Sequence, residues 1–406
     1  MSPFEKLLLP NGTVIPNRIA KAAMEENLAD AGHGPSKGLL HLYRAWAEGG
    51  AGLILTGNVM VDRRAMTGPG GVVLEDASRL DAFREWARVA RSRGAQAWLQ
   101  LNHPGRQVMK NMGQESWAPS AIPLDLGKHS KLFASPKAMS ERDILEVITR
   151  FATAARLGEQ AGFSGVQIHA AHGYLLSQFL SPLVNRRTDR WGGSLENRAR
   201  VLIDTVHAVR EVVSPGFSVA VKLNSADFQR GGFDAADARE VVTMLNALPV
   251  DLVELSGGSY EAPAMQGSTR DNRTLAREAY FLEFAHDIAA AARMPLMVTG
   301  GIRRIAVVEE VLNSGVAMAG IGTALALRPD LPNAWRNGED PRPEIPPITW
   351  KSKPMASLAA MAIVKFQLSR LSRDRKPRPR VSPLIALIVS QLRTARLTRK
   401  YRRWMA

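Results

Sequence analysis

Residues 141–171, ERDILEVITRFATAARLGEQAGFSGVQIHAA, contain the unit from which the fold can be inferred. Apolar residues recur at helical spacing over 141–161, and Ser140 precedes Asp143 at the spacing of a capping box. The short apolar run GVQIHAA (165–171) follows, with the length and composition of a buried strand. The segment therefore predicts a helix that leads directly into a strand.

Strand and helix alternate in this way along most of the chain. The candidate strands are 17–24, 52–57, 95–102, 165–171, 217–224, 251–258, 295–301 and 316–324. The candidate helices are 36–48, 79–93, 141–161, 194–213, 235–247, 278–292, 304–313 and 329–337. Eight units with continuously hydrophobic strands predict an α/β fold, the closed TIM (β/α)8 barrel. An open doubly wound sheet is the alternative, but the G-x-G-x-x-G fingerprint does not follow the first strand.

The positive charge of the chain is concentrated near its C-terminal end. Of the net charge of +15, residues 351–406 contribute 15 Lys/Arg against the single acid Asp374, and the preceding 350 residues contribute 38 Lys/Arg against 37 Asp/Glu. The first 350 residues are therefore nearly electroneutral, and their function should be inferred from the barrel's site and not from its overall electrostatic field. We expect a barrel over 1–340, followed over 341–406 by a proline-containing linker and a basic, helical, amphipathic extension.

Composition excludes several classes of protein. The chain contains no cysteine, which excludes disulfides, thiolate zinc sites and cysteine-ligated iron–sulfur clusters. No apolar run approaches the roughly 20 residues that a membrane span needs, which excludes a polytopic membrane protein. The first residues, where Glu5 lies beside Lys6, do not resemble a secretory signal, so we expect a cytoplasmic protein.

The basic extension allows three interpretations. Its stretches 355–371 and 382–404 mix apolar and basic residues, as in helices that lie at an anionic membrane surface. Packing across the barrel base, or at a subunit interface of a homo-oligomer, explains the composition equally well. Nucleic-acid binding is less favoured than either, because only Tyr401 and Trp404 offer stacking surfaces among the cations.

Chemistry in TIM barrels is built from the C-terminal ends of the strands. The end of the fourth candidate strand carries His169, His172 and Tyr174, three polar rings that can converge on one pocket. Neutral imidazoles and a phenol can hold an oxygen by hydrogen bonds and deliver a proton. Two alternatives remain: a metal bound by both histidines with Glu254 or Glu25, and histidines buried only for packing.

The seventh and eighth strand ends are rich in glycine. Gly300 and Gly301 end one strand, and Gly322 ends the other. Backbone N–H groups of such loops can hold a phosphate, and phosphate sites of barrels recur after these two strands. Glycines that merely permit tight turns are the alternative.

Six segments of the chain resemble, in the same order, the Old Yellow Enzyme family of flavin mononucleotide (FMN) oxidoreductases. They are NRIAKAAM (17–24), WLQLNHPGRQ (98–107), IHAAHGYLLSQFLSPLVNRRTDRWGGSLENR (168–198), VELSGGSYE (253–261), VTGG (298–301) and PDLP (329–332). The resemblance implies an FMN-containing barrel that takes a hydride from NADH or NADPH. It further implies that the hydride passes to the β-carbon of an activated alkene, such as an enone, enal or nitroalkene.

The resemblance also assigns residues to the flavin ring. Ala22, Ala23 and Met24 would line the flavin through backbone contacts, and Gly57 would lie beside the ring. Gln100 would hydrogen-bond the pyrimidine edge.

Charge and phosphate contacts follow from the same resemblance. Lys222 stands where the family usually places a cation near the flavin N1 and O2, which would stabilise the electron-rich reduced ring. Gly300, Gly301, Gly322 and Thr323 would hold the phosphate.

Substrate contacts are implied for the three polar rings. His169 and His172 would bind the carbonyl or nitro oxygen, where negative charge develops during hydride transfer. Tyr174 would protonate the α-carbon, because a phenol with an ordinary pKa of about 10 is protonated at neutral pH.

Two positions depart from the family pattern. Glu25 follows Met24 where relatives usually offer Thr or Cys to the flavin, and an ionised carboxylate there would lower the flavin potential. Thr323 stands where relatives commonly have an arginine on the phosphate, which leaves the backbone to hold more of the group.

Two flavin-free functions remain as alternatives. A phosphate-binding barrel lyase would use Lys222 for imine chemistry, since a strand end is where such a lysine would lie. A noncatalytic interaction protein is the other.

Overall fold

The computed structural model describes residues 1–263 and 278–406. Eight parallel strands form the barrel: β1 (Ile19–Lys21), β2 (Leu53–Met60), β3 (Gln96–Asn102), β4 (Gly165–Ala170), β5 (Ser218–Asn224), β6 (Leu252–Ser256), β7 (Leu296–Thr299) and β8 (Met318–Ile321). Neighbours in this order are hydrogen-bonded, and β8 pairs with β1 with Ala319 opposite Ile19. That last pairing closes the sheet, so the predicted TIM barrel is confirmed.

Helices cover the outside of the barrel between the strands. They are Lys37–Glu48, Leu80–Ala90, Glu141–Gln160, Leu195–Val212, Ala235–Leu245, Leu282–Ala289, Ile305–Asn313 and Leu331–Arg336, each inside a range predicted to be helical. Two short helices that the periodicity does not predict, Leu175–Leu180 and Thr323–Leu327, follow β4 and β8. Ser140 and Asp143 form the predicted capping box, in which each side chain accepts the backbone N–H of the other residue.

The N-terminal end of the barrel is sealed. A hairpin of Leu7–Leu8 and Val14–Ile15 crosses it, and Leu7, Leu9 and Ile15 pack on the lowest apolar layer of the interior. That layer is built from residues on several strands: Leu53, Leu55, Trp98, Ala220, Leu252, Met297 and Met318. The opposite, C-terminal end of the barrel is therefore the end available to a ligand.

Smaller elements decorate the loops that follow the strands. They are the short strands Val72–Val73, Trp117–Ala118 and Lys137–Ala138 and the 3₁₀ helices Ala77–Arg79, Lys110–Met112 and Gly127–Leu132. Residues 341–350 contain no helix or strand.

Two helices form the C-terminal extension: the first tail helix (Lys353–Leu371) and the second tail helix (Pro383–Met405). Leu368 and Leu371 of the first helix join the main hydrophobic core. A smaller core holds the two helices together and includes Ala362, Ile363, Val381, Ala386 and Leu387. The extension is thus packed onto the barrel.

The second tail helix lies on the C-terminal face of the barrel. The Tyr401 hydroxyl, which is buried, donates to the Arg63 carbonyl oxygen at 2.7 Å, and Trp404 stacks on His33 with ring centroids 4.3 Å apart. Arg63 and His33 lie beyond the C-terminal ends of β2 and β1. The expectation that a packed tail would cross the barrel base is therefore wrong. Tyr401 and Trp404 are engaged by the barrel, which removes the stacking surfaces that nucleic-acid binding would use.

Within the described ranges, we find no helix that combines the length and the hydrophobicity required to cross a bilayer.

Candidate active site

The end of β4 brings the three predicted polar rings together. The ring centroids of His169 and His172 lie 5.0 Å apart, and those of His169 and Tyr174 lie 4.9 Å apart, both in edge-to-face geometry. The chain turns sharply here because His172 and Gly173 both adopt positive φ, at 62° and 70°. Since a positive φ is uncommon for a residue other than glycine, this turn is a strained feature that positions His172.

Hydrogen bonds determine which imidazole nitrogens face a ligand. The Nδ1 atom of His169 accepts the Ala171 backbone N–H at 3.2 Å, so a neutral His169 carries its proton on Nε2 and can donate it. The Nε2 atom of His172 bonds to the Ser256 hydroxyl at 2.7 Å, and its backbone N–H donates to Asn224 Oδ1. These hydrogen bonds to Ala171, Ser256 and Asn224 hold both imidazole rings in place.

Both histidines are neutral at physiological pH. Burial lowers the pKa of His169 well below its ordinary value, and the neighbouring His172 and Lys222 act in the same direction. Burial and Lys222 also lower the pKa of His172 well below its ordinary value. The site therefore offers neutral hydrogen-bond donors and no imidazolium.

Tyr174 is a protonated phenol next to a second one. Burial raises the pKa of Tyr174 well above its ordinary value, with further contributions from Tyr260 and Glu25. The two hydroxyl oxygens of Tyr174 and Tyr260 lie 3.4 Å apart. Tyr260, which sequence reasoning did not select, belongs to the VELSGGSYE segment after β6, so its motif was the signal that could have found it.

A chain of hydrogen bonds crosses the barrel interior beneath the histidines. The Gln100 Nε2 donates to Gln167 Oε1 at 2.7 Å, and Gln167 Nε2 donates to Glu254 Oε2 at 2.7 Å. The Lys222 Nζ donates to Glu254 Oε1 at 2.8 Å, and both side chains are buried. Gln100 and Lys222 thus share one interior layer, as residues holding one ring should. Gln167 and Glu254 position these two side chains. Sequence reasoning did not select them for this role, although the alternation of inward and outward side chains along β4 and β6 places both inside the barrel.

The ends of β1, β2 and β8 meet at the adjacent part of the rim. The Ala22 N–H donates to the Ile321 carbonyl at 3.0 Å, and Ala23 packs against an apolar cluster of the barrel interior. A Cβ on Gly57 would lie 2.2 Å from the Met24 carbonyl oxygen, so only glycine fits. A Cβ on Gly322 would lie 3.8 Å from Met24 Cγ, which places this glycine beside Met24.

The glycines after β7 are also required by the local geometry. Gly300 and Gly301 have φ values of 127° and 73°, and a Cβ on Gly301 would lie 2.6 Å from the Tyr280 ring. Thr323 is exposed and begins the short helix after Gly322. The nearby Arg303 and Arg304 are both bonded to Glu278, at 3.0 and 2.8 Å.

Glu25 points toward the tail. The Thr67 hydroxyl donates to its Oε1, and the Nζ of Lys365 lies 3.5 Å from its Oε2. The carboxylate that departs from the family pattern is therefore balanced by a cation.

The metal alternative finds no support in the described residues. In 1–263 and 278–406, no group of three or more His, Asp or Glu side chains is arranged to hold a metal ion. Glu254 bonds instead to Lys222, Gln167 and Thr299.

A cavity of about 2340 Å³ extends from this rim to the tail helices. Its walls include Glu25 and Tyr260 at the barrel end, Phe228 and Tyr280 on the loops, and Lys365 and Arg393 on the tail. The volume exceeds the roughly 300–1,000 Å³ that ligand pockets usually have.

These residues fit a flavin. Because Gln100 Nε2 already donates to Gln167, its Oε1 is the atom available to accept an N–H from the pyrimidine edge of the ring. Lys222 supplies positive charge in the same layer. Fold and site together define a flavin-dependent barrel oxidoreductase.

The chain belongs to the NADH:flavin oxidoreductase / NADH oxidase family, whose model matches residues 4–340. The family and its named relatives make it an NAD(P)H-dependent FMN oxidoreductase, and the resemblance to the Old Yellow Enzyme family is confirmed. The flavin-free alternatives are wrong for this chain.

Named relatives agree with this assignment. The NADH-dependent flavin oxidoreductase iliE of Neonectria sp. is 38% identical over 351 residues, which are 80% of this chain and 46% of the relative. The chain thus spans about half the length of that relative. The iliE protein of Hypocrea jecorina is 37% identical over 346 residues, which cover 79% of this chain and 85% of the relative.

Solved structures share the fold. The Old Yellow Enzyme homologue from Zymomonas mobilis superposes with a TM-score of 0.72 at 23% identity, over 88% of this chain and 98% of that one. A 2-naphthoyl-CoA reductase complex gives a TM-score of 0.75 at 25% identity, over 83% of this chain and 52% of that one.

Proposed function

We propose that the protein reduces the carbon–carbon double bond of an alkene activated by a carbonyl or nitro group, at the expense of NADH or NADPH. The observation that carries the proposal is the placement of His169, His172 and Tyr174 around one point, with all three uncharged. When bound, FMN supplies the hydride that the β-carbon of the alkene receives.

The two histidines bind and polarise the activating oxygen. His169 offers its Nε2–H, since its Nδ1 is occupied by the Ala171 N–H. The Nε2 atom of His172 is bonded to the Ser256 hydroxyl, which leaves Nδ1 to contact the activating oxygen. Neutral donors fixed before the reaction stabilise negative charge as it develops on the oxygen, at no cost of reorganisation.

Tyr174 delivers the proton to the α-carbon. Its raised pKa keeps the hydroxyl protonated throughout the neutral range, and Tyr260 is placed to donate to the phenolate that proton transfer leaves. Residues 22–24, Gly57, Gln100, Lys222, Gly300, Gly301, Gly322 and Thr323 are the residues we assign to holding FMN.

The nicotinamide and the alkene must approach the same face of the site, because the hairpin seals the other end of the barrel. We therefore expect alternating, ping-pong turnover. The experiment is anaerobic titration of the purified holoenzyme with NADH and with NADPH, then a panel of enones, maleimides and nitroalkenes. Reoxidation by no member of the panel, or intersecting double-reciprocal lines, would contradict the proposal.

We also propose a peripheral contact of the second tail helix with an anionic membrane surface. Leu384, Ile385, Ile388 and Leu392 recur on its outward face and are 56%, 55%, 50% and 68% exposed. Exposed arginines 399 and 403 continue the same face, so the helix offers apolar and cationic contacts together. Two copies joined through this face would bring like charges together, which disfavours a subunit interface here.

Vesicle sedimentation tests the contact, with phosphatidylcholine vesicles that contain or lack phosphatidylserine. We expect binding that requires phosphatidylserine and is lost when Ile388→Asp is combined with Leu392→Asp. Leu8→Asp is the matched control, because Leu8 is 66% exposed on the hairpin at the opposite end of the barrel. Equal binding by all three proteins would show that this face is not the contact, and no binding by the parent would leave cytoplasmic residence without membrane contact as the prediction.

A further inference from the structure

The tail helices give the cavity a positively charged wall. The tail cations that line it are Lys365, Arg370, Arg373, Arg375, Arg393 and Arg396. The barrel body, by contrast, is nearly electroneutral. The positive wall is thus a property that the tail adds to the site.

Among the described residues, five glutamates line the cavity: Glu25, Glu261, Glu278, Glu283 and Glu310. Barrel groups and Lys365 balance the first three. Glu25 faces Lys365, Glu261 is bonded to Arg106 with Nη2–Oε2 at 2.5 Å, and Glu278 is bonded to two arginines. Within the part of the chain that the structure describes, Arg373 and Arg393 form no ion pair with a carboxylate.

Arg373, an exposed residue in the turn after the first tail helix, and Arg393, on the second tail helix, both line the cavity. Arg393 is half-buried, and its Nη2 donates to the Asn27 carbonyl oxygen at 2.7 Å. Burial lowers the pKa of Arg393, and the charge of Arg373 lowers it further. A half-buried guanidinium whose charged neighbour is another guanidinium is destabilised until an anion lies between them.

We propose that Arg373 and Arg393 form a subsite for a phosphate or carboxylate group in the part of the cavity wall that the tail supplies. Guanidinium groups bind these oxyanions through paired N–H donors, which makes arginine the suitable residue type. The inference rests on the proposed function, because Tyr260, whose hydroxyl faces that of Tyr174, lines the same cavity.

The cavity has room for such a ligand. At about 2340 Å³ without FMN, it is larger than the roughly 300–1,000 Å³ of usual ligand pockets, and Phe228, Phe366 and Met361 give it apolar walls. Two ligands of this reaction offer the required chemistry: the diphosphate of the nicotinamide dinucleotide, and an acid group on an elongated, largely apolar alkene.

The test uses the oxidised FMN holoenzyme and the variants Arg373→Gln and Arg393→Gln. ADP-ribose, which carries the dinucleotide's diphosphate but no nicotinamide, is titrated by calorimetry. In parallel, KM is measured for one enone carboxylic acid and for its methyl ester. Arg399→Gln is the control, because Arg399 is an exposed arginine of the same helix outside the cavity wall.

A loss of one charge-assisted contact should weaken binding by about tenfold or more. Weaker ADP-ribose binding in both variants assigns the subsite to the dinucleotide, and a raised KM for the acid but not the ester assigns it to the alkene. If neither changes relative to Arg399→Gln, the proposal is wrong. Arg393→Lys, which keeps the charge, separates charge loss from loss of the Asn27 contact.

The two proposals can fail separately. ADP-ribose binding is measured without any alkene, so a subsite can be shown in a protein that reduces none of the panel. Conversely, reduction of neutral enones with unchanged arginine variants supports the proposed function and overturns the subsite.

Discussion

The Nζ of Lys365 lies 3.5 Å from Oε2 of Glu25 and donates to Oδ1 of Asn27 at 2.6 Å, although 340 residues separate Lys365 from Glu25 in the chain. Glu25 directly follows the segment that we assign to the flavin. The first tail helix therefore supplies a cation to the reaction centre, so the extension is part of the candidate site as well as a cover for the barrel.

Replacement of Lys365 should change the flavin's midpoint potential. Lys365→Met leaves Glu25 without its cation, and an unbalanced carboxylate disfavours the electron-rich reduced ring. Since a partly exposed ion pair contributes up to about 1 kcal/mol, we expect a fall on the order of 20 mV, measured by spectroelectrochemistry.

Two further variants isolate this effect from a general loss of structure. Lys365→Arg keeps the charge and should retain the parent potential. In a Glu25→Gln background, Lys365→Met should cause no further fall. An equal fall in both backgrounds would show that Lys365 does not act through Glu25.

Tyr174→Phe should separate the two half-reactions. The variant keeps the ring that packs on His169 but loses the proton, so alkene reduction should slow by roughly 100-fold while flavin reduction by NADH is little changed. Stopped-flow spectroscopy at the flavin band measures both steps. Tyr260→Phe is the matched control and should have the smaller effect; a parallel loss of both half-reactions in Tyr174→Phe would refute the role.

The fold and the centre of the site were predictable because both depend on local patterns. Each barrel strand is a continuous apolar run, and His169, His172 and Tyr174 lie within six residues, so their proximity requires only one correctly placed strand end. The interior layer of Gln100 and Lys222 follows from the regular alternation of inward side chains in a closed barrel.

The contacts of the tail were not predictable in this way. The pairing of Lys365 with Glu25 and the packing of Tyr401 on Arg63 join segments about 340 residues apart, and composition is the same whichever end of the barrel the tail covers. Tyr260 was missed for a related reason. The motif VELSGGSYE points to the segment that contains Tyr260, but its 3.4 Å approach to Tyr174 from another strand end is visible only in the structure.

Thr323→Arg should strengthen FMN retention. Thr323 is exposed beside Gly322. Arg303 and Arg304, which follow β7, are both bonded to Glu278. A guanidinium here would add a charge-assisted phosphate contact and slow FMN loss during dialysis by about tenfold. Thr323→Gln, which adds length without charge, is the control. Equal retention by parent and arginine variant would mean that another cation already holds the phosphate.

Buried His103 should make folding stability depend on pH. Burial lowers its pKa from 6.5 to about 4, so between these values the unfolded chain binds more protons than the folded protein. Stability is therefore complete above about pH 6.5 and declines as the pH falls toward 4, by roughly 3 kcal/mol from this one group.

His103→Asn tests this dependence, because the asparagine Oδ1 can accept the Gly105 N–H that now donates to His103 Nδ1 at 3.2 Å. Urea unfolding between pH 7.5 and 4.5 should show a shallower loss of stability in the variant. His169 and His172, whose pKa values are also lowered, contribute equally to both proteins and cancel in the comparison. Parallel stability curves would show that His103 is protonated as readily in the folded protein as in the unfolded chain, and hence that burial does not hold it neutral.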